Sequence, residues 1–204
     1  MKKIIFYFLA LVFCISCTPS TKIVKSWHDP SASVDIKSIN KILVIALIKD
    51  ESARRMVEDK LVSLMKVKGV QSYTYLKEGE VKENDNAKFA ERLKSDGFNG
   101  VLVMRLVDIE KETSYVQGSS AAAPVYYRSY YGYYRYASPM YYNPGYYKTD
   151  KNYTVETTVY STIPDKLVWS AVTKTLNPTK LDQAIEEIAA AVAEKMRKDG
   201  FVKD

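Results

Sequence analysis

The only histidine of the chain, His28, stands beside Asp29 and is the first place to look for catalytic chemistry. A histidine oriented by a carboxylate is an arrangement that general-base catalysis uses. However, Lys22 to Trp27 alternates polar and apolar residues as a half-buried strand does, and adjacent side chains on a strand point to opposite faces. The pattern therefore favours a turn at His28-Asp29-Pro30 after a strand, with Trp27 in the core.

A second group of chemistry-bearing residues is the acidic row Asp108, Glu110 and Glu112. Spacing by two places these carboxylates on one strand face, where they have the chemistry to bind a hard cation. Asp108 and Glu110 are the pair to consider for glycan cleavage, but that reaction needs carboxylates on opposite sides of a cleft. We therefore favour a solvated face.

Motifs of the common enzyme classes are missing from the sequence. It has no Gly-x-Ser-x-Gly, no phosphate-binding loop, no Gly-x-Gly-x-x-Gly after the first strand and no histidine pair. Most hydrolytic triads and zinc sites need a histidine, often several, and His28 is the only one in this chain. We therefore predict that the protein is not an enzyme and has no catalytic residue, metal ligand or cofactor.

The N-terminal segment predicts where the protein works. Lys2 and Lys3 precede an apolar run, Ile4 to Phe13, that is shorter than the roughly 20 residues needed to cross a bilayer core. The run leads into Cys14-Ile15-Ser16-Cys17, which resembles the lipobox of bacterial lipoproteins. In that motif a small residue precedes the modified cysteine and a polar tail follows it.

This resemblance implies a signal peptide over residues 1–16, lipidation of Cys17 with acyl chains such as palmitate, and a tether over residues 17–22. The alternative is an ordinary secretory signal with Cys17 as a free thiol. Thr18 in place of aspartate implies, by the enterobacterial sorting rule, a lipid anchor in the outer membrane facing the periplasm. Loss of Lys2 and Lys3 with the signal lowers the formal net charge from +6 to +4.

Hydrophobic periodicity predicts one domain over residues 23–204. Lys41 to Ile48 is a nearly continuous apolar run, typical of a strand covered on both faces. The helix that follows is expected to end at Gly69. The remaining pattern predicts strands at Val70–Tyr75 and Val101–Val107, a helix at Asn86–Asp96, a hairpin of Thr154–Ile163 with Leu167–Leu176, and a last helix capped by Asn177-Pro178-Thr179.

This order of elements predicts an α+β or α/β fold, with a mixed sheet of five to six strands and about three helices packed on it. It resembles the N-terminal domain of the translocation protein TolB and the curli-secretion lipoprotein family. It is also similar to uncharacterised Bacteroidetes lipoproteins in which a Lys-Asp-Glu-Ser-x-Arg-Arg run follows the first buried strand, as Lys49 to Arg55 does. The last resemblance implies no known activity.

A tyrosine-rich tract is the most unusual feature of the composition. Residues 125–148 hold eleven of the seventeen tyrosines, and we predict a long loop over residues 118–150 inserted between two sheet strands. The predicted contact residues are Tyr126, Tyr127, Arg128, Tyr130, Tyr131, Tyr133, Tyr134, Arg135, Tyr136, Tyr141, Tyr142, Tyr146 and Tyr147.

Three interpretations of the tract remain open. It is a low-complexity insert without a specific role, an interaction surface for an envelope protein or a glycan, or a segment that contacts lipid head groups. A nucleic-acid partner is not expected for an exported protein. The favoured function is a non-catalytic, membrane-anchored envelope assembly module, and the alternative is a carbohydrate- or peptidoglycan-binding lipoprotein.

Overall fold

The computed structural model describes residues 20–76, 86–116 and 146–203. The strands in this part of the chain are β1 Thr21–His28, β2 Val34–Asp35, β3 Ile42–Leu47, β4 Gly69–Gln71, β5 Gly100–Val116, β6 Tyr146–Thr162, β7 Asp165–Leu176 and β8 Val202–Lys203. The helices are α1 Glu51–Leu64, α2 Ser72–Tyr75, α3 Asn86–Ser95 and α4 Leu181–Lys198, and a 3-10 turn covers Ile36–Ser38.

Six of these strands form one open sheet in the order β1-β7-β6-β5-β3-β4. Strand β3 pairs in parallel with β4 and β5, and all other neighbours in this sheet are antiparallel. Strands β2 and β8 form a separate short parallel pair. The predicted fold class, a mixed sheet with helices packed on it, is confirmed.

The sheet is covered by helices on both faces at β3, as its apolar run predicts. Leu43 and Val44 on this strand are both fully buried, although they point to opposite faces. Helices α1 and α4 pack on one face with Trp169 and Met104. Helix α3 packs on the other face, where Leu93 and Phe98 contact Leu43. We call these the α1/α4 face and the α3 face.

Two helices end with the same three residues, Asp-Gly-Phe, at positions 96–98 and 199–201. In both, the glycine has a positive φ, 79° at Gly97 and 70° at Gly200. The glycine amide donates to the carbonyl three residues back and the phenylalanine amide to the carbonyl five residues back, at 2.9 to 3.0 Å. This is the Schellman arrangement, and it buries Phe98 and Phe201 in the core.

Several predicted boundaries differ from the structure. Helix α1 ends at Leu64, and Gly69 instead begins β4, because the chain must pass closely under Val62 at this point. The predicted strand Val70–Tyr75 is shorter, since the chain turns into α2 at Ser72. Trp27 is not in the core but half exposed, because it lies on the face of β1 on which none of the described helices packs.

The last helix is also capped differently. Its N-cap is Lys180, which has no side-chain capping bond, and Asn177 adopts a positive φ of 45° in the turn that precedes the helix. The predicted hairpin is confirmed, with Trp169 fully buried in β7. Strands include some residues predicted for the tether and the loop. Thr21 and Lys22 belong to β1, and residues 146–150 belong to β6.

Candidate functional site: a two-stranded arm

Strands β5 and β6 continue beyond the sheet as a two-stranded arm. The pairing of β3 ends where Leu47 meets Arg105, and that of β7 ends where Leu176 meets Asn152. The six pairs from Lys111 with Lys151 to Val116 with Tyr146 therefore have no other described strand beside them. At about 3.4 Å per residue these pairs extend about 20 Å. We call this ribbon the arm.

The outer half of the arm is aromatic. The rings of Tyr115 and Tyr147 face each other across the two strands with centroids 5.2 Å apart. Tyr147 is 75% exposed and its neighbour Tyr146 is 61% exposed, so both present most of their surface to solvent. A cross-strand aromatic pair of this kind stabilises a ribbon by about 0.2–1 kcal/mol. The arm thus holds aromatic surface in a defined orientation away from the core.

The base of the arm is fixed to the turn after β7. The Asn177 side-chain oxygen accepts the amide hydrogen of Lys151 at 2.7 Å, and its side-chain nitrogen donates to Asp150 at 2.6 Å. The backbone amide of Asn177 in turn donates to the Lys151 carbonyl at 2.9 Å. Bonds from Lys148 and then Asn177 lower the pKa of Asp150. The arm is therefore bonded to the body at its base.

The N-terminal end of the described chain leaves the body at the same end as the arm. The amide of Leu176 donates to the Ser20 carbonyl at 3.0 Å, and the hydroxyls of Thr21 and Thr175 are bonded at 2.8 Å. Ser20 and Thr21 also donate to Glu187 on α4, and the bond from Ser20 is the main cause of the lowered pKa of Glu187. These bonds fix the start of β1 beside the base of the arm.

The structure tests only part of the predicted contact set. Tyr146 and Tyr147 lie on the arm, as the first two residues of β6. The other predicted residues lie outside the described part of the chain: Cys17, Tyr126, Tyr127, Arg128, Tyr130, Tyr131, Tyr133, Tyr134, Arg135, Tyr136, Tyr141 and Tyr142. The arm strands end at Val116 and begin at Tyr146, on either side of this segment.

The acidic row lies on β5 near the base of the arm. Asp108, Glu110 and Glu112 are exposed on one face, and Glu110 accepts a bond from Lys174 of β7 at 3.1 Å. The described residues contain no group of three histidine, cysteine or acidic side chains placed to hold a metal ion. This location agrees with the solvated face favoured above.

The His28–Asp29 pair lies at the opposite end of the sheet. Asp29 accepts bonds from Lys166 at 2.6 Å and from the amide and hydroxyl of Ser31. These bonds, with the Lys166 bond first, hold the pKa of Asp29 well below its usual range. The Asp29 carboxylate therefore fixes the turn after β1, and its bonding differs from that of a carboxylate that orients a histidine.

No protein-family model and no curated protein matches the sequence. The fold is similar to the PelC dodecamer from Paraburkholderia phytofirmans, at 11% identity and a TM-score of 0.43, covering 90% of this chain and 99% of that one. It is also similar to lipoprotein GNA1162 from Neisseria meningitidis, at 11% identity and a TM-score of 0.36, covering 78% and 99%. TM-scores this low carry no conclusion about function.

One residue of the arm was missed by the sequence analysis. Tyr115 lies outside the tyrosine-rich tract, yet it is the partner of Tyr147. The alternation of Asp108, Glu110 and Glu112 with Ile109 and Lys111 indicates a strand that runs toward Tyr115, but no local pattern shows that Tyr147 is its partner. In the described part of the chain, no helix is both long and apolar enough to span a bilayer.

Proposed function

We propose that this protein is a non-catalytic envelope lipoprotein, anchored through acylated Cys17 in the outer membrane on its periplasmic side. It acts as an interaction module whose arm presents tyrosines to an envelope partner. The observation that carries this proposal is that the start of β1 and the arm leave the body at the same end, fixed by the bond between Ser20 and Leu176. The anchor and the contact surface therefore serve the same membrane face.

Simple lengths support this arrangement. Cys17 precedes Ser20 by three residues, so its Cα lies at most about 10 Å from that of Ser20. The arm starts at nearly the same position along the sheet as Ser20 and extends about 20 Å beyond the sheet. A partner in or beside the anchoring membrane is thus within reach of the arm tip. Exposed tyrosines suit such a contact, because they offer stacking area and a hydroxyl for little loss of conformational entropy.

Two in-cell experiments test this function. In the first, Cys17→Ala should release the protein from the membrane fraction and abolish palmitate labelling, whereas Cys14→Ala should change neither. In the second, a photocrosslinking amino acid replaces Tyr147, and a matched control carries it at Tyr160, near the other end of the same strand. A specific protein adduct from position 147 alone is expected. Identical adducts from both positions would contradict a role for the arm.

A glycan is the second candidate partner, favoured by the exposed Tyr115–Tyr147 pair, because aromatic faces can pack against sugar rings. This candidate predicts saturable quenching of tyrosine fluorescence by peptidoglycan fragments, which Tyr147→Ala should weaken. Protein adducts without glycan binding would select the first candidate. Glycan binding without a specific protein adduct would select the second.

A further inference from the structure

A large cavity lies in the α1/α4 face, at the end of the sheet opposite the arm. Its volume is about 830 Å³, within the roughly 300–1,000 Å³ typical of ligand pockets. Its walls come from α1, α4, the inner strands and the segment around β2 and β8. The lining is mainly apolar, and it includes Leu102, Met104, Val159, Val168, Ala189 and Ala193.

One polar side chain interrupts this apolar lining deep inside. Thr157 of β6 is 1% exposed, and its hydroxyl has no hydrogen-bond partner among the described residues. Other buried threonines are satisfied: Thr162 donates to the Phe98 carbonyl at 2.6 Å, and Thr173 donates to the Val155 carbonyl at 3.2 Å. A buried hydroxyl without a partner is destabilising, and Thr157 is among the residues that line the cavity, so a ligand oxygen that reaches this hydroxyl would satisfy it.

The mouth of the cavity is positively charged. The charged residues of its lining are Lys66, Lys166, Arg197 and Glu186, and Glu186 is already bonded to Lys60 of α1. Lys166 is bonded to Asp29, whereas Lys66 and Arg197 are exposed side chains. The rim therefore favours an anionic group, while the interior favours a chain of methylene groups.

We propose that this cavity binds an anionic, single-chain amphiphile whose acyl chain carries a hydroxyl or ester oxygen. The chain fills the apolar interior, its oxygen bonds to the Thr157 hydroxyl, and its carboxylate or phosphate head lies at the cationic mouth. Thr157 lies four residues along β6 from Ser161 at the rim, which is about 13 Å. The hydroxyl is thus reached by the chain of the ligand and not by its head.

The test uses the full chain, held in amphipol, and palmitate carrying a mid-chain diazirine as the probe. Labelling should be saturable and should map to cavity residues such as Leu102 and Ala193. Palmitate should compete, a mid-chain hydroxystearate should compete roughly three- to tenfold better than stearate, and hexadecanol should compete less well. If a lysophosphatidate and fatty acids both compete, the mouth accepts either a phosphate or a carboxylate head group. Competition by only one class would select that source.

Three variants make the proposal specific. Thr157→Val, which keeps the shape of the side chain, should remove the preference for hydroxystearate and leave stearate competition unchanged. Lys66→Gln with Arg197→Gln should weaken anionic competitors but not hexadecanol. Ala193→Phe should block labelling, and a thermal melt like that of the wild type shows that the fold is kept.

Other outcomes would overturn the proposal. These are labelling spread over the outer surface, equal competition by hexadecanol and palmitate, or an unchanged preference in Thr157→Val. Labelling that appears only after residues 113–149 are replaced by a short turn would show instead that a segment of the chain itself occupies the cavity.

Discussion

The carboxylate of Glu58 accepts the hydroxyl hydrogen of Ser72 at an oxygen–oxygen distance of 2.6 Å, in a place where Glu58 is fully buried. The same carboxylate accepts the amide hydrogens of Ala46 at 3.0 Å and Tyr73 at 3.2 Å. Ala46 lies beyond the end of the β3–β4 pairing, so its amide has no partner from β4 there. A single side chain of α1 thus joins β3 and α2.

Removal of this carboxylate should destabilise the fold strongly. Glu58→Ala leaves two buried donors and one part-buried donor without an acceptor, and each buried group costs about 1–3 kcal/mol, so we expect a loss of roughly 3 kcal/mol. Ser72→Ala removes one donor and should cost about 1 kcal/mol. Urea denaturation measures both. The matched control Glu194→Ala, at an exposed position of α4, should change the free energy of unfolding by less than ~0.5 kcal/mol. Equal stability of Glu58→Ala and Glu194→Ala would contradict this role.

The two Asp-Gly-Phe helix ends make a separate prediction. A Cβ at Gly97 or Gly200 would meet no atom within 4 Å, so only the positive φ opposes a larger residue. Gly97→Ala and Gly200→Ala should each lower the free energy of unfolding by about 1 kcal/mol. Gly97→Asn should lose less, because asparagine tolerates this conformation better. If alanine and asparagine variants unfold at the same urea concentration, strain in φ is not the cause.

The arm should be separable from the body. Glu112 pairs with Asp150, whose carboxylate accepts one of the bonds that Asn177 makes to the base of the arm. Replacing residues 113–149 by Asn-Gly, a favoured two-residue hairpin turn, should leave the thermal midpoint within a few degrees of the wild type. The partner that crosslinks from position 147 of the full chain should no longer copurify with this variant after general chemical crosslinking in cells. A deletion of residues 125–148 would instead cut into β6. A large loss of stability in the Asn-Gly variant would show that the arm supports the core.

The free energy of unfolding should decrease as the pH is lowered, because Glu187 becomes protonated. Its pKa in the folded state is lowered, chiefly by the bond from Ser20, below the value of about 4.3 for a free glutamate. The stabilisation is therefore complete above about pH 4.3 and is lost as the pH falls through the folded-state pKa. Glu187→Gln and Ser20→Ala should both show a weaker decline of the free energy of unfolding between about pH 5 and pH 3. Urea titrations at a series of pH values measure the free energy of unfolding. A decline in the two variants as steep as that of the wild type would contradict this link.

The sequence predicts the central part of this fold well, because strong local signals agree with the final packing there. The apolar run at β3, the helix predicted at Asn86–Asp96 and the β6–β7 hairpin are each indicated by a local pattern with which the packing agrees. Gly69 is compatible with two local structures, because a glycine suits both a helix end and a strand that passes close to a neighbouring side chain. Only the packing of Val62 against it decides between them.

The arm and the cavity depend on contacts between residues distant in sequence, which periodicity does not report. Tyr115 and Tyr147 meet only because the register of β5 and β6 continues past the sheet. Trp27 alternates like a core residue, yet none of the described helices packs on its face of β1. Whether the Thr157 hydroxyl finds a partner depends on its neighbours on β5 and β7, so no local pattern could have indicated that it has none among the described residues.

The pairing of β1 with β7 also bears on the order in which the chain folds. Thr21 lies opposite Thr175, so β7, the strand that pairs with β1, is separated from it in sequence by most of the chain. Contacts of such high contact order form slowly, because the loop that they close is long. We therefore expect β1 to join last, after the β5–β6–β7 meander has formed. The segment nearest Cys17 would then stay accessible to lipid-modifying enzymes while the rest of the domain folds.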